Sequence, residues 1–69
     1  MKRTIVNSKE LLSIGYEAEI CILEVELRNG DIYQFHEVSY ETFALLMNAK
    51  VQYDYYEANI MDKYWVQKI

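Results

Sequence analysis

At 69 residues the chain has room for one domain and one core; at this size folding buries only roughly 60% of the surface that the unfolded chain exposes. A hydrophobic fraction of 52% argues against disorder, and a single cysteine, Cys21, excludes an internal disulfide and any thiolate metal cluster. The formal charge of −4 disfavours a protein held to nucleic acid by phosphate neutralisation alone.

The chain opens on Met1-Lys2-Arg3, and the following Thr4-Ile5-Val6-Asn7-Ser8 is too short and polar for the apolar segment of a signal peptide. No apolar run reaches the ~20 residues needed to cross a bilayer. A soluble, cytoplasmic protein is expected. Thr4-Ile5-Val6 is a candidate for a short edge strand, or for pairing with a second copy of the chain in a homo-oligomer.

Period-two alternation then predicts strands. Leu12, Ile14 and Tyr16 alternate with Ser13 and Gly15; Cys21, Leu23, Val25 and Leu27 alternate with Ile22, Glu24, Glu26 and Arg28. Tyr33, Phe35 and Glu37 continue the period against Ile32, Gln34 and His36. Gly15 within a strand marks a bulge or a close backbone approach. At Asn29-Gly30 the register decides the fold. A two-residue turn would place Tyr33 and Phe35 on the face of Glu24 and Glu26, whereas a three-residue loop, Arg28-Asn29-Gly30, pairs Val25 with Tyr33 and Leu23 with Phe35. The hydrophobic pattern selects the longer loop, with Gly30 in the left-handed region.

Beyond Val38 the period changes to that of a helix. Ser39 is placed to cap a helix whose stripe is Tyr40, Phe43, Ala44, Leu46 and Met47. The segment Asn48 to Gln52 breaks it. A second helix sets Tyr53, Tyr56, Ile60 and Tyr64 at spacings of three and four, and Trp65 to Ile69 forms a tail able to dock. Both helices are too short to persist alone and must pack on the sheet. The predicted fold class is α+β: a three-stranded antiparallel meander, with the N-terminal edge strand as an addition, followed by two short helices on one face.

The order Asn7-Ser8, Ile14-Gly15-Tyr16, Leu23-x-Val25-x-Leu27-x-Asn29-Gly30, Tyr33-x-Phe35 and Ile60-x-Asp62-Lys63-Tyr64 resembles the KTSC domain. That family is named for its place at the C-terminus of some lysyl-tRNA synthetases and also occurs as small stand-alone bacterial and phage proteins. The resemblance implies a domain of unknown biochemistry with a suspected RNA-binding role. The family's central Tyr-x-Tyr stands here as Tyr33-Gln34-Phe35. Its proline before the first helix is replaced by Ser39, its glycine before the last helix by Tyr53, and its helix asparagine by Glu57. The last two changes remove a flexible point and add acid, which weighs against phosphate binding there.

No catalytic constellation emerges. One His and one Cys give no zinc spacing, so neither a metal nor a cofactor is expected. His36 reads as a solvent-facing strand residue, Cys21 as a small buried hydrophobe, and Glu24 with Glu26 as the polar side of a half-buried sheet. A nucleophile and base would need to meet, yet Cys21 and His36 should face opposite ways. With two glycines in the chain, phosphate-cradling loops are absent.

The aromatic residues carry the remaining signal. Tyr53, Tyr56 and Tyr64 fit a core stripe, which leaves Tyr55 and Trp65 as contact candidates beside the Tyr33–Phe35 strand. The preferred reading is a non-catalytic interaction or inhibitor module with a protein partner, of the kind mobile elements encode. The alternative is an RNA or nucleotide binder that stacks bases on Tyr33, Phe35 or Tyr55 and meets phosphates with Lys9, Arg28 or Lys63.

Overall fold

The computed structural model describes residues 1–69 as a five-stranded antiparallel sheet with two helices. The strands are β1 (Arg3–Ile5), β2 (Leu11–Glu17), β3 (Ile22–Leu27), β4 (Ile32–Phe35) and β5 (Val66–Lys68), and the helices α1 (Tyr40–Met47) and α2 (Gln52–Asn59) lie between β4 and β5 in sequence. Spatial order follows chain order, β1-β2-β3-β4-β5, so the chain from β4 to β5 carries both helices over one face of the sheet. The three-stranded meander is therefore the centre of a wider sheet. Arg3–Ile5 adds one edge, and the expected docking tail adds the other as a strand.

The β3–β4 register is the one the hydrophobic pattern selects. Leu23 faces Phe35 and Val25 faces Tyr33, while Gly30 takes a φ of 98° in the connecting loop. Leu27 N–H donates to the Asp31 carbonyl (2.8 Å), closing the three-residue loop. Gly15 is a close backbone approach: a Cβ there would lie 2.8 Å from both Arg3 Cγ and the Lys2 carbonyl oxygen.

Several expectations are corrected. The ladder of β2 slips between Leu11 and Ser13, so Leu11, not Leu12, joins Ile14 in the core. Cys21 does not continue β3; it sits half-buried in the turn before it, with φ 53°. Glu37 likewise takes φ 59° and ends the β4 segment, turning the chain towards α1. His36 lies on the outer face as expected but is only half-exposed, because Trp65 packs its ring edge-on against it at a centroid distance of 4.5 Å. Tyr64 lies beyond the end of α2, which stops at Asn59.

Ser39 caps α1 as its position suggests, accepting from Thr42 N–H at 3.2 Å. Of the α1 stripe only Leu46 is fully buried. Phe43 and Met47 pack at the rim, and Tyr40 is exposed. The core joins Leu11, Ile14, Leu23, Val25 and Phe35 of the sheet to Val38, Leu46, Tyr56 and Ile60, with Val6 at its margin. No helix is long and apolar enough to cross a membrane.

Candidate functional site

Alternation along the strands gives the sheet two unlike faces. On the helix-covered face Leu27, Tyr33, Phe35 and Val66 meet Tyr56 of α2 and the turn residues Met61 and Asp62. Together they line a cleft of about 240 Å³ whose one charged member is Asp62. Phe35 is 2% exposed and meets Tyr56 edge-on at 5.8 Å, so the floor of the cleft is core. Tyr33 stays half-buried, 6.4 Å from Phe35 between ring centroids. Asp62 adopts φ 65°, in a tight turn after α2 that sets it at the cleft's edge. The Tyr56 hydroxyl is pushed up to about 12, first by burial and then by the neighbouring Tyr33, Tyr53 and Asp62.

The sequence-derived contact residues do not form one surface. Tyr33 and Phe35 share the cleft, but Phe35 serves mainly as its floor. Tyr55 is half-buried against the core and does not line the cleft. Trp65 is exposed on the opposite face, because it pairs with His36 across the β4–β5 ladder while its neighbour Val66 pairs with Phe35. Lys63 is exposed and makes no ion pair.

Lys9 and Arg28 do come together, in a shallow groove of about 290 Å³ that also includes Glu10, Asn29 and Tyr53. Lys9 and Glu10 continue into an adjoining polar groove with Lys50. The Arg28 guanidinium is already engaged: its Nε donates to the Ser8 carbonyl at 2.7 Å and Nη2 to that of Val6 at 3.4 Å. Tyr53 in this groove has its hydroxyl raised by burial and then by the charges of Glu57 and Glu10. The acidic neighbours make this basic groove a mixed one.

The uncovered face carries a polar network instead. Arg3 Nε lies 3.2 Å from Glu24 Oε2, Gln34 Nε2 donates to Glu24 Oε1 at 2.8 Å, and Ser13 Oγ donates to Glu26 Oε1 at 2.9 Å. Glu24 and Glu26 are thus partnered groups that pin β1 across β2 and β3. No group of three or more His, Cys, Asp and Glu side chains converges to hold a metal. Sequence reasoning missed Met61, Asp62 and Val66 as cleft residues, and read Tyr56 only as part of a core stripe. They share no local signal: Tyr56 lies inside the expected stripe, Met61 and Asp62 fall between its last two members, and Val66 belongs to the tail.

A model of the KTSC domain matches residues 7–64. An uncharacterized protein of Stutzerimonas stutzeri (strain A1501) is 41% identical over 49 residues, covering 71% of this chain and 69% of that protein. The crystal structure of a KTSC domain protein from Yersinia pestis superposes with a TM-score of 0.94 at 30% identity, covering 99% of this chain and 96% of the other.

Proposed function

The chain belongs to the KTSC domain family, and on that premise we propose that it is a non-catalytic binding module whose cleft takes an apolar side chain from a protein partner. The cleft of about 240 Å³ carries this reading. It is smaller than the ~300–1,000 Å³ of small-molecule sites, and its lining is aromatic and aliphatic with Asp62 as the only charge. That combination suits one large apolar side chain with a basic neighbour, in the manner of an interface anchor residue. A nucleotide would bring phosphate towards Asp62, in a chain of net charge −4.

The groove shared by Lys9, Arg28 and Tyr53 supports the second reading, an RNA-binding surface in which Tyr53 takes a base and the cations meet phosphate. The two readings separate in one experiment. Peptides selected from a random library on the folded chain are mapped by NMR amide shifts, beside a titration with single-stranded RNA over a salt series. The protein reading expects shifts at Tyr33, Met61, Asp62 and Val66, little change with salt, and loss of binding on Met61→Trp, which fills the cleft. Salt-steep RNA binding with shifts at Lys9, Lys50 and Tyr53, and no cleft-binding peptide, would overturn it.

A further inference from the structure

The edge strand β5 and the residues that flank it concentrate exposed apolar surface, of which only Val66 also lines the cleft. Trp65 is 67% exposed, Val66 42% and Ile69 65%. Short length and Lys68 both blunt this edge, but Lys68 is drawn to Asp31 at 3.3 Å and Trp65, Val66 and Ile69 around it are apolar, so the unpaired N–H and C=O groups still offer a place for another strand. Here the orientation of those groups is fixed. The carbonyl of Trp65 and the N–H of Ile69 bond inward, to His36 N–H and the Ile32 carbonyl, at 2.9 Å each. By antiparallel alternation the N–H and C=O groups of Val66 and Lys68 point out of the sheet.

We propose that this edge pairs with the β5 strand of a second copy of the chain, antiparallel and with a two-fold axis at Gln67, making one continuous sheet across a dimer. In that register Val66 faces Lys68 of the second copy, Trp65 faces its Ile69, and the two Gln67 residues face each other. It overlaps the whole strand, whereas an axis at Val66 would set Lys68 against Tyr64, which lies outside the strand.

The chemistry of the three rows matches. On the uncovered face Ile22, His36 and Trp65 form a row that Ile69 and Ile32 of the second copy extend. The central row runs from Arg3 and Glu24 through Gln34 to Gln67, and Gln67 and Gln34 of the second copy continue it with amides that both donate and accept. On the cleft face Lys68 of the second copy comes beside Val66, next to Asp62, and so meets a carboxylate in addition to Asp31, which it already reaches at 3.3 Å. The pairing is isologous and closes on itself. A β5-to-β1 contact would be head-to-tail and would lead to a ring or an open filament, not to a two-fold dimer.

The test uses the intact chain. Light scattering after size exclusion, through a micromolar dilution series, is expected to show twice the chain mass. Val66→Pro removes the outward N–H, and with it the Val66 side chain at the cleft, but no hydrogen bond of the β4–β5 ladder, so the mass should fall by half while circular dichroism is unchanged. A register test stands beside it and does not depend on that variant folding. Facing Cα atoms in a non-hydrogen-bonded antiparallel pair are about 4.5 Å apart, within the roughly 4.4–6.8 Å that a disulfide spans. Gln67→Cys in a Cys21→Ser background is therefore expected to cross-link copies with copper–phenanthroline, and Lys68→Cys in the same background is not. A monomer at every concentration, a filament, or cross-linking through Lys68→Cys in preference to Gln67→Cys would overturn the proposal.

Discussion

Arg3 and Gly15 face one another across the β1–β2 ladder, and the Cγ of Arg3 occupies the space next to the missing Cβ of Gly15. From there the guanidinium reaches Glu24 on β3, passing over β2 where it has no side chain. A methyl group at Gly15 would meet both Arg3 Cγ and the Lys2 carbonyl oxygen at 2.8 Å. Gly15→Ala is expected to destabilise the chain by roughly 1–3 kcal/mol. For a domain of this size that is a fall in Tm of about 4–8 °C per kcal/mol. Because one obstacle is backbone, adding Arg3→Ala should restore only part of the loss. An unchanged Tm in Gly15→Ala would mean that β1 does not lie against β2 in solution.

Tyr33 and Phe35 alternate on one strand yet should respond differently to truncation. Phe35 is 2% exposed and packed on Tyr56, so Phe35→Ala is expected to cost about 3–5 kcal/mol. Tyr33 is half-buried at the cleft, and Tyr33→Ala should lower stability much less while weakening capture of a cleft-binding peptide. Urea unfolding of the two variants checks the difference. Equal losses would place Tyr33 in the core and remove it from the site.

These two residues also show what the sequence makes legible. Strict alternation around Asn29-Gly30 determines which residues of β3 and β4 face inward, since a one-residue slip would bury Gln34 and expose Phe35. Ser39 announces α1 because its hydroxyl has one useful role at that position. The edges are illegible for a physical reason. β1 and β5 are three residues long, too short to show a period, and β5 exists only because β4 offers it a ladder. The irregular backbone at Leu11–Ser13 shifted the phase of β2 by one residue, so Leu12 looked like core when Leu11 was. The cleft draws on β3, β4, α2, the turn at Met61-Asp62 and β5, and no local pattern reports that convergence.

Arg28 is exposed, but its guanidinium ties two parts of the chain together. It holds the Ser8 and Val6 carbonyls against the end of β3, and the backbone N–H of Arg28 donates to the Glu10 carbonyl at 2.9 Å. A lysine keeps the charge and loses the fork. Arg28→Lys is expected to lower stability by about 1–2 kcal/mol, close to the effect of Arg28→Ala. Faster amide hydrogen exchange between Val6 and Leu11 would accompany it. If Arg28→Lys were as stable as the parent, the guanidinium contacts would contribute only charge.

Tyr56 links the cleft to alkaline stability. Its hydroxyl moves from an ordinary value of 10.0 up to about 12, chiefly through burial and then through Tyr33, Tyr53 and Asp62. A tyrosine is neutral when protonated, so a raised value means that the folded chain holds this proton more tightly than the unfolded chain does. The resulting stability is fully present below the unfolded value and is lost as pH climbs through the folded one. Two units at 1.36 kcal/mol each set a ceiling of about 2–3 kcal/mol, which solvent screening at the hydroxyl lowers, and this stability should disappear between roughly pH 10 and 12. Urea midpoints measured across that window are expected to fall steeply in the parent chain. Tyr56→Phe keeps the ring and removes the proton, so its midpoint should fall less. Tyr16 and Tyr53, both raised first by burial, contribute a residual slope of the same sign. Parallel decline in parent and Tyr56→Phe would show that the Tyr56 hydroxyl ionises as freely in the cleft as it does in water.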